Sequence, residues 1–233
     1  MQVVERSACL ALLYNSPTNI ASSFSYLLDT YPTSLTKQSD STPNKHVISF
    51  LYFLHTLLDE YPSQRASHRL LLPTASNSTS LHLPPNSPEH TIASSISSAL
   101  RRHNWYTLHT LTSPQFIHNR LTWSIPKSDQ DRNPSAEDEV FEALPQRALF
   151  HLLRELRAKV RSSAWPVLRS AYREVVDGPW LERSLMFGRE KDSSSAGATI
   201  SELTEFMRLG VEKDEAGVKD SSGARVWILR RPS

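Results

Sequence analysis

The chain has 233 residues, with 26 Lys and Arg against 24 Asp and Glu, so its formal net charge is +2. A chain of this length forms one large domain or two small ones and buries enough surface to fold without disulfides or metals. Its single cysteine excludes a disulfide framework, and its six glycines fall in no phosphate-binding spacing, which excludes P-loop and Rossmann sites. We expect an intracellular protein without a secretion signal or a membrane span.

Three Ser-Pro pairs, at 16–17, 87–88 and 113–114, each precede an apolar periodic stretch. A serine oxygen accepts from the free N–H groups of a helix start, and proline suits the first helical position. Each pair therefore predicts a helix start. With the other periodic stretches, the predicted helices cover 5–14, 17–31, 47–61, 64–72, 88–102, 104–111, 114–123, 136–161, 165–176 and 200–209. Pro145 is expected to break or kink the helix over 136–161.

Two helical runs end alike, at 27–32 and 57–62, and the spacing between them is typical of stacked helical repeats. The stretch 73–86 is polar and proline-rich and predicts a flexible loop. After residue 210 the pattern becomes β-rich, with a turn at 221–223, which predicts a hairpin. Because Pro179 opens a helix after Gly178, we expect a winged-helix module with this hairpin as its wing.

The predicted fold is therefore mainly α, with stacked PCI-like helical repeats that end in a small winged-helix module. Residues 1–72 form amino-terminal helical repeats, and residues 73–86 form the loop. Residues 87–176 continue the helical repeats, and residues 177–233 form the winged-helix module.

The sequence contains no recognisable catalytic or metal-binding constellation. None of the nine histidines belongs to an i, i+4 pair with the intervening acid of a zinc hydrolase. Residues 129–133 begin like a calcium loop, but Pro134 stands at the glycine position and Val140 at the bidentate acid. Cys9 lies in an apolar helix without a base, which predicts a buried side chain. We predict a non-enzymatic protein with no catalytic residue, no metal site and no cofactor.

Residues 147–189 carry nine Lys and Arg and four Asp and Glu, a strong local excess of positive charge. Arg147, Arg154 and Arg161 recur every seven residues, nearly opposite the apolar stripe of their helix. Their row is interpreted either as a solvated helix face or as a contact for an anionic partner. Arg230 and Arg231 on the predicted wing favour the second interpretation, a contact for an anionic partner, because wing cations can meet phosphates. These five arginines are the candidate nucleic-acid contacts.

Several short segments are similar, in chain order, to motifs of one protein family. They are Gln64-Arg65-Ala66-Ser67-His68-Arg69-Leu70-Leu71, Ala99-Leu100-Arg101-Arg102-His103-Asn104-Trp105-Tyr106-Thr107-Leu108, Arg147-Ala148-Leu149, Ala171-Tyr172-Arg173 and Leu185-Met186-Phe187. They resemble the Sac-three/GANP family of mRNA-export scaffolds, whose shared domain follows a PCI-type plan. The first segment lacks the family's Glu-Phe pair and its Tyr, and the second is the best match.

The resemblance implies a non-catalytic scaffold of a nuclear, TREX-two-like mRNA export or processing complex. Its partners would be other protein subunits and RNA, with no membrane and no small-molecule substrate. The implied location is the nucleus, with the cytoplasm as a second location. Arg147, Arg154 and Arg161 are carried over as candidate surface contacts.

Two alternatives stay open at this point. The first is a protein-only PCI subunit of a proteasome lid, a signalosome or an initiation-factor complex. In that case the strand around Trp227 and Ile228 is the candidate partner-binding surface, since paired strands bury backbone groups and apolar side chains together. The second is a hydrolase with scattered metal ligands, for which retained metal in the purified protein would be the sign.

Overall fold

The computed structural model describes residues 2–30, 45–72, 81, 83–121, 143–176, 178–187, 202–221 and 224–232. Over these residues the protein is mainly helical, with one small antiparallel sheet. Its helices are α1 (Gln2–Leu13), α2 (Pro17–Thr30), α3 (Lys45–Glu60), α4 (Arg65–Arg69), α5 (Pro88–Arg101), α6 (Trp105–Leu111), α7 (Pro114–Arg120), α8 (Leu144–Ala171), α9 (Pro179–Ser184) and α10 (Glu202–Glu212). Its strands are β1 (Glu174–Val176), β2 (Ala216–Ser221) and β3 (Ala224–Leu229).

The helix starts predicted from the three Ser-Pro pairs are confirmed. Helices α2, α5 and α7 begin at Pro17, Pro88 and Pro114. At α5 the backbone N–H of His90 donates to Oγ of Ser87 at 3.0 Å. This bond satisfies one of the N–H groups that a helix start leaves without an intrahelical acceptor.

The long helix α8 corrects two predictions. It runs unbroken from Leu144 to Ala171 with Pro166 inside it, where the sequence predicts two separate helices. Pro145 lies in its first turn, a position that tolerates proline, and residues 136–142 of the predicted helix lie outside the described residues. Trp165 beside the inner proline is buried, and this packing compensates for the lost backbone hydrogen bond. Residues 174–176, predicted to be helical, form β1.

The end of the predicted flexible loop is anchored in the core. Residues 73–80 and 82 lie outside the described residues. Leu81 and Leu83 are both buried, and the Leu83 N–H donates to the Leu70 carbonyl at 3.4 Å. The calcium-like stretch at 129–133 and the centre of the hairpin turn at 222–223 also lie outside the described residues.

The chain divides into two compact units. The amino-terminal unit comprises residues 1–98 and 114–156. Within it α1 packs on α2 and α3 packs on α4. Leu27 and Leu57, which occupy matching positions in the two similar helix ends, are both fully buried, as are Phe50 and Phe53. The amphipathic pattern of the first helices is therefore explained by this apolar core.

The carboxy-terminal unit comprises residues 99–113 and 157–233. Its sheet has the order β1-β3-β2, with every neighbour antiparallel, and the predicted hairpin of β2 and β3 is confirmed. In the register, Trp227 of β3 lies opposite both Val175 of β1 and Val218 of β2. The core is built from α8 to α10 and the sheet, and its members are Trp165, Leu168, Val175, Leu181, Leu185, Phe187, Leu203, Met207, Ala216, Trp227 and Leu229.

Candidate interaction surfaces

The three arginines that recur every seven residues on α8 differ in their surroundings. Arg147 and Arg154 are exposed and belong to the amino-terminal unit. Arg161 is partly buried in the carboxy-terminal unit, where its Nε donates to the carbonyl of Leu185 at 2.8 Å. Its guanidinium carbon lies 3.7 Å from the centre of the Phe187 ring. The prediction that all three form one solvent-facing row is therefore wrong at Arg161.

The reason for this error is geometric. A straight α-helix turns about 20° away from a seven-residue repeat with every heptad, so Arg161 lies about 40° from the direction of Arg147. The segment that follows α9 supplies carbonyl acceptors and an aromatic ring for the displaced guanidinium. A charged group so placed is satisfied by hydrogen bonds and by the ring face, which makes its burial tolerable.

Two further arginines of the basic segment also support the fold from inside. Nε of Arg157 donates to Oγ1 of Thr112 at 2.8 Å, and its Nη2 donates to the Thr112 backbone carbonyl. Nη1 of Arg169 lies 2.9 Å from Oε1 of Glu215. The same carboxylate accepts from Nε1 of Trp165 at 2.9 Å. Three of the nine cations between 147 and 189 thus bind other segments of the carboxy-terminal unit from α8.

Strand β3 presents Trp227 and Ile228 to opposite faces of the sheet. Trp227 is 3% exposed and lies in the core, whereas Ile228 is 38% exposed. The prediction that both contact a partner is corrected for Trp227, because alternation along a strand sends its side chain inward. Ile228 stays a candidate. Its cross-strand neighbours on the outer face are Glu174 and Gly217.

The candidate contacts Arg230 and Arg231 follow β3 directly and are both exposed. Nη1 of Arg230 forms an ion pair with the carboxylate of Asp214. The backbone carbonyl of Arg230 also accepts from Nε of Arg169 at 2.7 Å. The position of Arg230 is therefore fixed by its neighbours, while Arg231 presents its charge at the end of the sheet.

The exposed face of α10 carries more acid than base. Glu202, Glu205 and Glu212 are exposed along it, with Arg208 as the exposed base within the helix. Nη2 of Arg208 lies 2.7 Å from Oε1 of Glu205, and Nη1 pairs with Glu212. The hydrogen bond from Arg208 lowers the pKa of Glu205. With Leu209 40% exposed beside these groups, the face is acidic and partly apolar.

A tight turn joins α5 to α6. His103 has a positive φ of 50°, and the N–H of Asn104 donates to the Ala99 carbonyl at 2.9 Å. Oδ1 of Asn104 also accepts from the N–H of Thr107 at 3.0 Å. His103 thus ends α5 in a Schellman-type motif, and Asn104 caps the start of α6. The first turn of α6, including Tyr106, is positioned by these local bonds.

Four exposed side chains form a continuous band in the carboxy-terminal unit, which we call the aromatic–arginine band: Tyr172, Trp180, Arg183 and Tyr106. The rings of Tyr172 and Trp180 meet edge to face, with centroids 5.3 Å apart. Trp180 and Arg183 are neighbours at i, i+3 on α9. The guanidinium carbon of Arg183 lies 5.8 Å from the centre of the Tyr106 ring. The three aromatic residues are 45%, 49% and 59% exposed in the order given.

The positive charge at the band comes from arginine and not from histidine. His109 lies on α6, one turn beyond Tyr106. Burial lowers the pKa of His109, and the charges of Arg157 and Arg183 lower it further, against an opposing effect of Glu182. These surroundings disfavour the charged form of the His109 imidazole.

Sequence reasoning missed the aromatic–arginine band, although one signal for it is local. Arg101 and Arg102 are followed by Trp105 and Tyr106, so cations and aromatic rings lie close together in this segment, which the sequence analysis treats only as a family motif. The other half of the band begins much further along the chain, at Tyr172. Only the packing of α9 on α6 brings the two halves together.

Cys9 is fully buried in α1, as predicted. Burial raises the pKa of its thiol to about 12, and the charge of Glu5 adds to the shift. Because the thiolate is the reactive form, we expect the native protein to react with DTNB at pH 8 at least about 100-fold more slowly than the urea-unfolded protein. Complete labelling of the native protein within seconds would contradict this burial.

No group of three or more His, Cys, Asp and Glu side chains within the described ranges could hold a metal ion. None of the helices in the described part of the chain has the length and apolarity to cross a membrane.

Comparison of the chain with protein-family models, with curated proteins and with solved structures gives no match.

Proposed function

We propose that the chain is a non-catalytic scaffold subunit of a nuclear mRNA export or processing complex of the TREX-two type, and that it binds partner proteins and RNA. In this proposal it is a member of the Sac-three/GANP family, with PCI-like helical repeats followed by a winged helix. The observation that carries the proposal is the topology of the carboxy-terminal unit. Its elements follow in the order α8, β1, α9, α10, β2, β3, and its strands in the order β1-β3-β2, an arrangement typical of winged-helix domains.

The positions of the family-like segments lend further support. Ala99 and Leu100 of the best-matching segment are 4% and 3% exposed. Leu185 and Phe187 of the last segment belong to the core of the carboxy-terminal unit. Ala148, in the segment on α8, is fully buried. Residues with these packing roles are the ones that a shared fold constrains most strongly, because interiors are densely packed.

The proposal is tested by purifying the tagged protein gently from its own cells, with and without nuclease, and identifying what accompanies it. We expect mRNA export or processing factors in both preparations, together with a set of proteins that nuclease releases. Recovery of none of these factors would contradict the proposed complex. A preparation of the tag alone from the same cells serves as the control for non-specific capture.

A second candidate function is favoured by the face of α10. In DNA-binding proteins of the helix-turn-helix type the second helix of the motif enters the major groove, which is lined by phosphates. Here the exposed acids Glu202, Glu205 and Glu212 on α10 would repel such phosphates. This charge favours a partner protein as the ligand of α10 over a nucleic acid. Such a contact fits a PCI subunit of a proteasome lid, a signalosome or an initiation-factor complex. Subunits of those assemblies, recovered regardless of nuclease, would identify it.

A further inference from the structure

We propose that the aromatic–arginine band, extended by Arg101 and Arg102, binds single-stranded RNA by stacking bases on Tyr106, Trp180 and Tyr172. The inference deepens the RNA-binding half of the proposed function and rests on it. It moves the RNA contact away from the row of arginines on α8 and away from α10.

The rings of the band are exposed to solvent. Tyr106 and Trp180 leave 59% and 49% of their surface in water, and Tyr172 leaves 45%. Exposed aromatic side chains that lie next to arginine are the usual platform for unpaired bases, since every base offers a π-face to them. Arg183 already lies over the Tyr106 ring at 5.8 Å, so the same guanidinium can stack on a base and meet its phosphate.

The charge at the band is available to a ligand. Arg101, Arg102 and Arg183 are exposed, and within the described residues none of them forms an ion pair. Arg208 of α10 and Arg230 at the end of β3 differ from these arginines, because Arg208 pairs with glutamates and Arg230 pairs with Asp214, whereas Arg231 is exposed at the end of the sheet. Arg183 therefore places a charge that has no ion pair among the described residues beside the exposed ring of Tyr106, and Arg101 and Arg102 precede Tyr106 by a few residues in the chain. A phosphate backbone can meet positive charge there.

The geometry of the band favours a single strand over a duplex. In a duplex the bases stack on each other and their faces are covered, so they cannot stack on side chains. The rings of Tyr172 and Trp180 contact each other edge to face at 5.3 Å, and the guanidinium of Arg183 lies 5.8 Å from the Tyr106 ring, so rings and cation are close enough for one flexible strand to contact them together. The tight turn at His103 holds Tyr106 in place before RNA arrives, which lowers the ordering cost of binding.

The experiment measures binding of a fluorescein-labelled oligouridine of about 15 nucleotides to the full chain by fluorescence anisotropy. We expect Tyr106→Ala and Trp180→Ala each to weaken binding roughly 5- to 100-fold, since stacking on one base contributes this much. Tyr106→Phe keeps the ring and should bind like the parent protein. Arg183→Gln should reduce the slope of log affinity against log salt by roughly 0.7 to 1.

The matched controls are Tyr26→Ala and Arg65→Gln. Tyr26 is 54% exposed on α2, and Arg65 is exposed on α4, both in the amino-terminal unit. Both should leave the affinity within about twofold of the parent value, because surface substitutions away from the site act only weakly. Thermal unfolding of every variant shows whether the fold is retained. A duplex RNA of the same length should bind much more weakly than the single strand.

Several results would overturn the inference. The first two are parent-like binding by Tyr106→Ala and Trp180→Ala, and equal binding of duplex and single strand. The others are loss of affinity in Tyr106→Phe, and variants of the band that lose protein partners while they still bind RNA. Any of these leaves the purification test of the proposed complex unaffected. Conversely, if the purification recovers no export or processing factors, the proposed complex is contradicted. The variants then still test whether the band binds oligouridine.

Discussion

Trp227→Ala should lower the free energy of unfolding of the carboxy-terminal unit by about 3 to 5 kcal/mol, the usual cost of removing a large aromatic side chain from a core. Trp227 is 3% exposed and belongs to the core with Trp165, Leu181 and Phe187. Truncation would leave a cavity between the sheet and the helices, which the surrounding side chains can refill only in part. The measurement is urea unfolding followed by far-UV circular dichroism.

Two further variants show whether the loss of stability comes from the buried position of Trp227 or from the removal of any tryptophan. Trp227→Phe should cost clearly less, because it keeps an aromatic ring and removes an indole N–H that has no hydrogen-bond partner among the described residues. Trp180→Ala replaces a tryptophan that is 49% exposed and should change the stability by only about 0.5 kcal/mol. If Trp227→Ala kept the stability of the parent protein but lost a protein partner, Trp227 would be a partner contact and not a core residue.

Arg161→Ala should lower the free energy of unfolding by about 2 to 4 kcal/mol. The substitution removes charged hydrogen bonds to the backbone carbonyls of Leu185 and Met186, at 2.8 and 3.5 Å. It also removes the guanidinium from the Phe187 ring, a contact at 3.7 Å. The carbonyls would lose their partner in a partly buried place, which adds a desolvation cost. Urea unfolding measures the change.

The matched control for Arg161 lies two heptads earlier on the same helix. Arg147→Ala changes an exposed arginine and should alter the free energy of unfolding by about 0.5 kcal/mol or less. Arg161→Lys should recover only part of the loss, because one ammonium lacks the planar fork that reaches both carbonyls and stacks on the ring. Equal stability of Arg161→Ala and Arg147→Ala would contradict the internal role of Arg161.

Local chemistry explains which parts of the fold the sequence predicts well. A serine oxygen and the fixed φ of proline act within a few residues, and the helix starts at Pro17, Pro88 and Pro114 follow from them. The hairpin of β2 and β3 is equally local. The burial of Cys9 follows from the apolar pattern of its own helix.

Contacts between distant segments explain what the sequence does not predict. Strand β1 is short and follows a helix closely, and it exists because Val175 pairs with Trp227 from near the other end of the carboxy-terminal unit. The seven-residue spacing groups Arg161 with Arg147, but the acceptors that hold its guanidinium come from the distant segment at Leu185. The aromatic–arginine band joins Tyr106 to side chains of α9 in the same way. Helical and strand periodicity carry no information about such neighbours.

The separation of roles within the basic segment also follows from these contacts. Arg157, Arg161 and Arg169 bind carbonyl, hydroxyl and carboxylate groups of the protein itself. The charge proposed to meet a nucleic acid is that of Arg183, beside the Tyr106 ring, and of Arg101 and Arg102, which are exposed a few residues before Tyr106. A count of charged residues along the chain therefore locates the positive segment but not the surface that presents it.

The most direct test of the proposed RNA binding is ultraviolet crosslinking of the full chain to oligouridine, with the crosslinked peptides identified by mass spectrometry. We expect crosslinks at Tyr106, Trp180 and Tyr172, since crosslinking reports rings that lie against bases. Crosslinks confined to α10, to the end of β3 or to the amino-terminal unit would contradict the aromatic–arginine band as the RNA-binding surface.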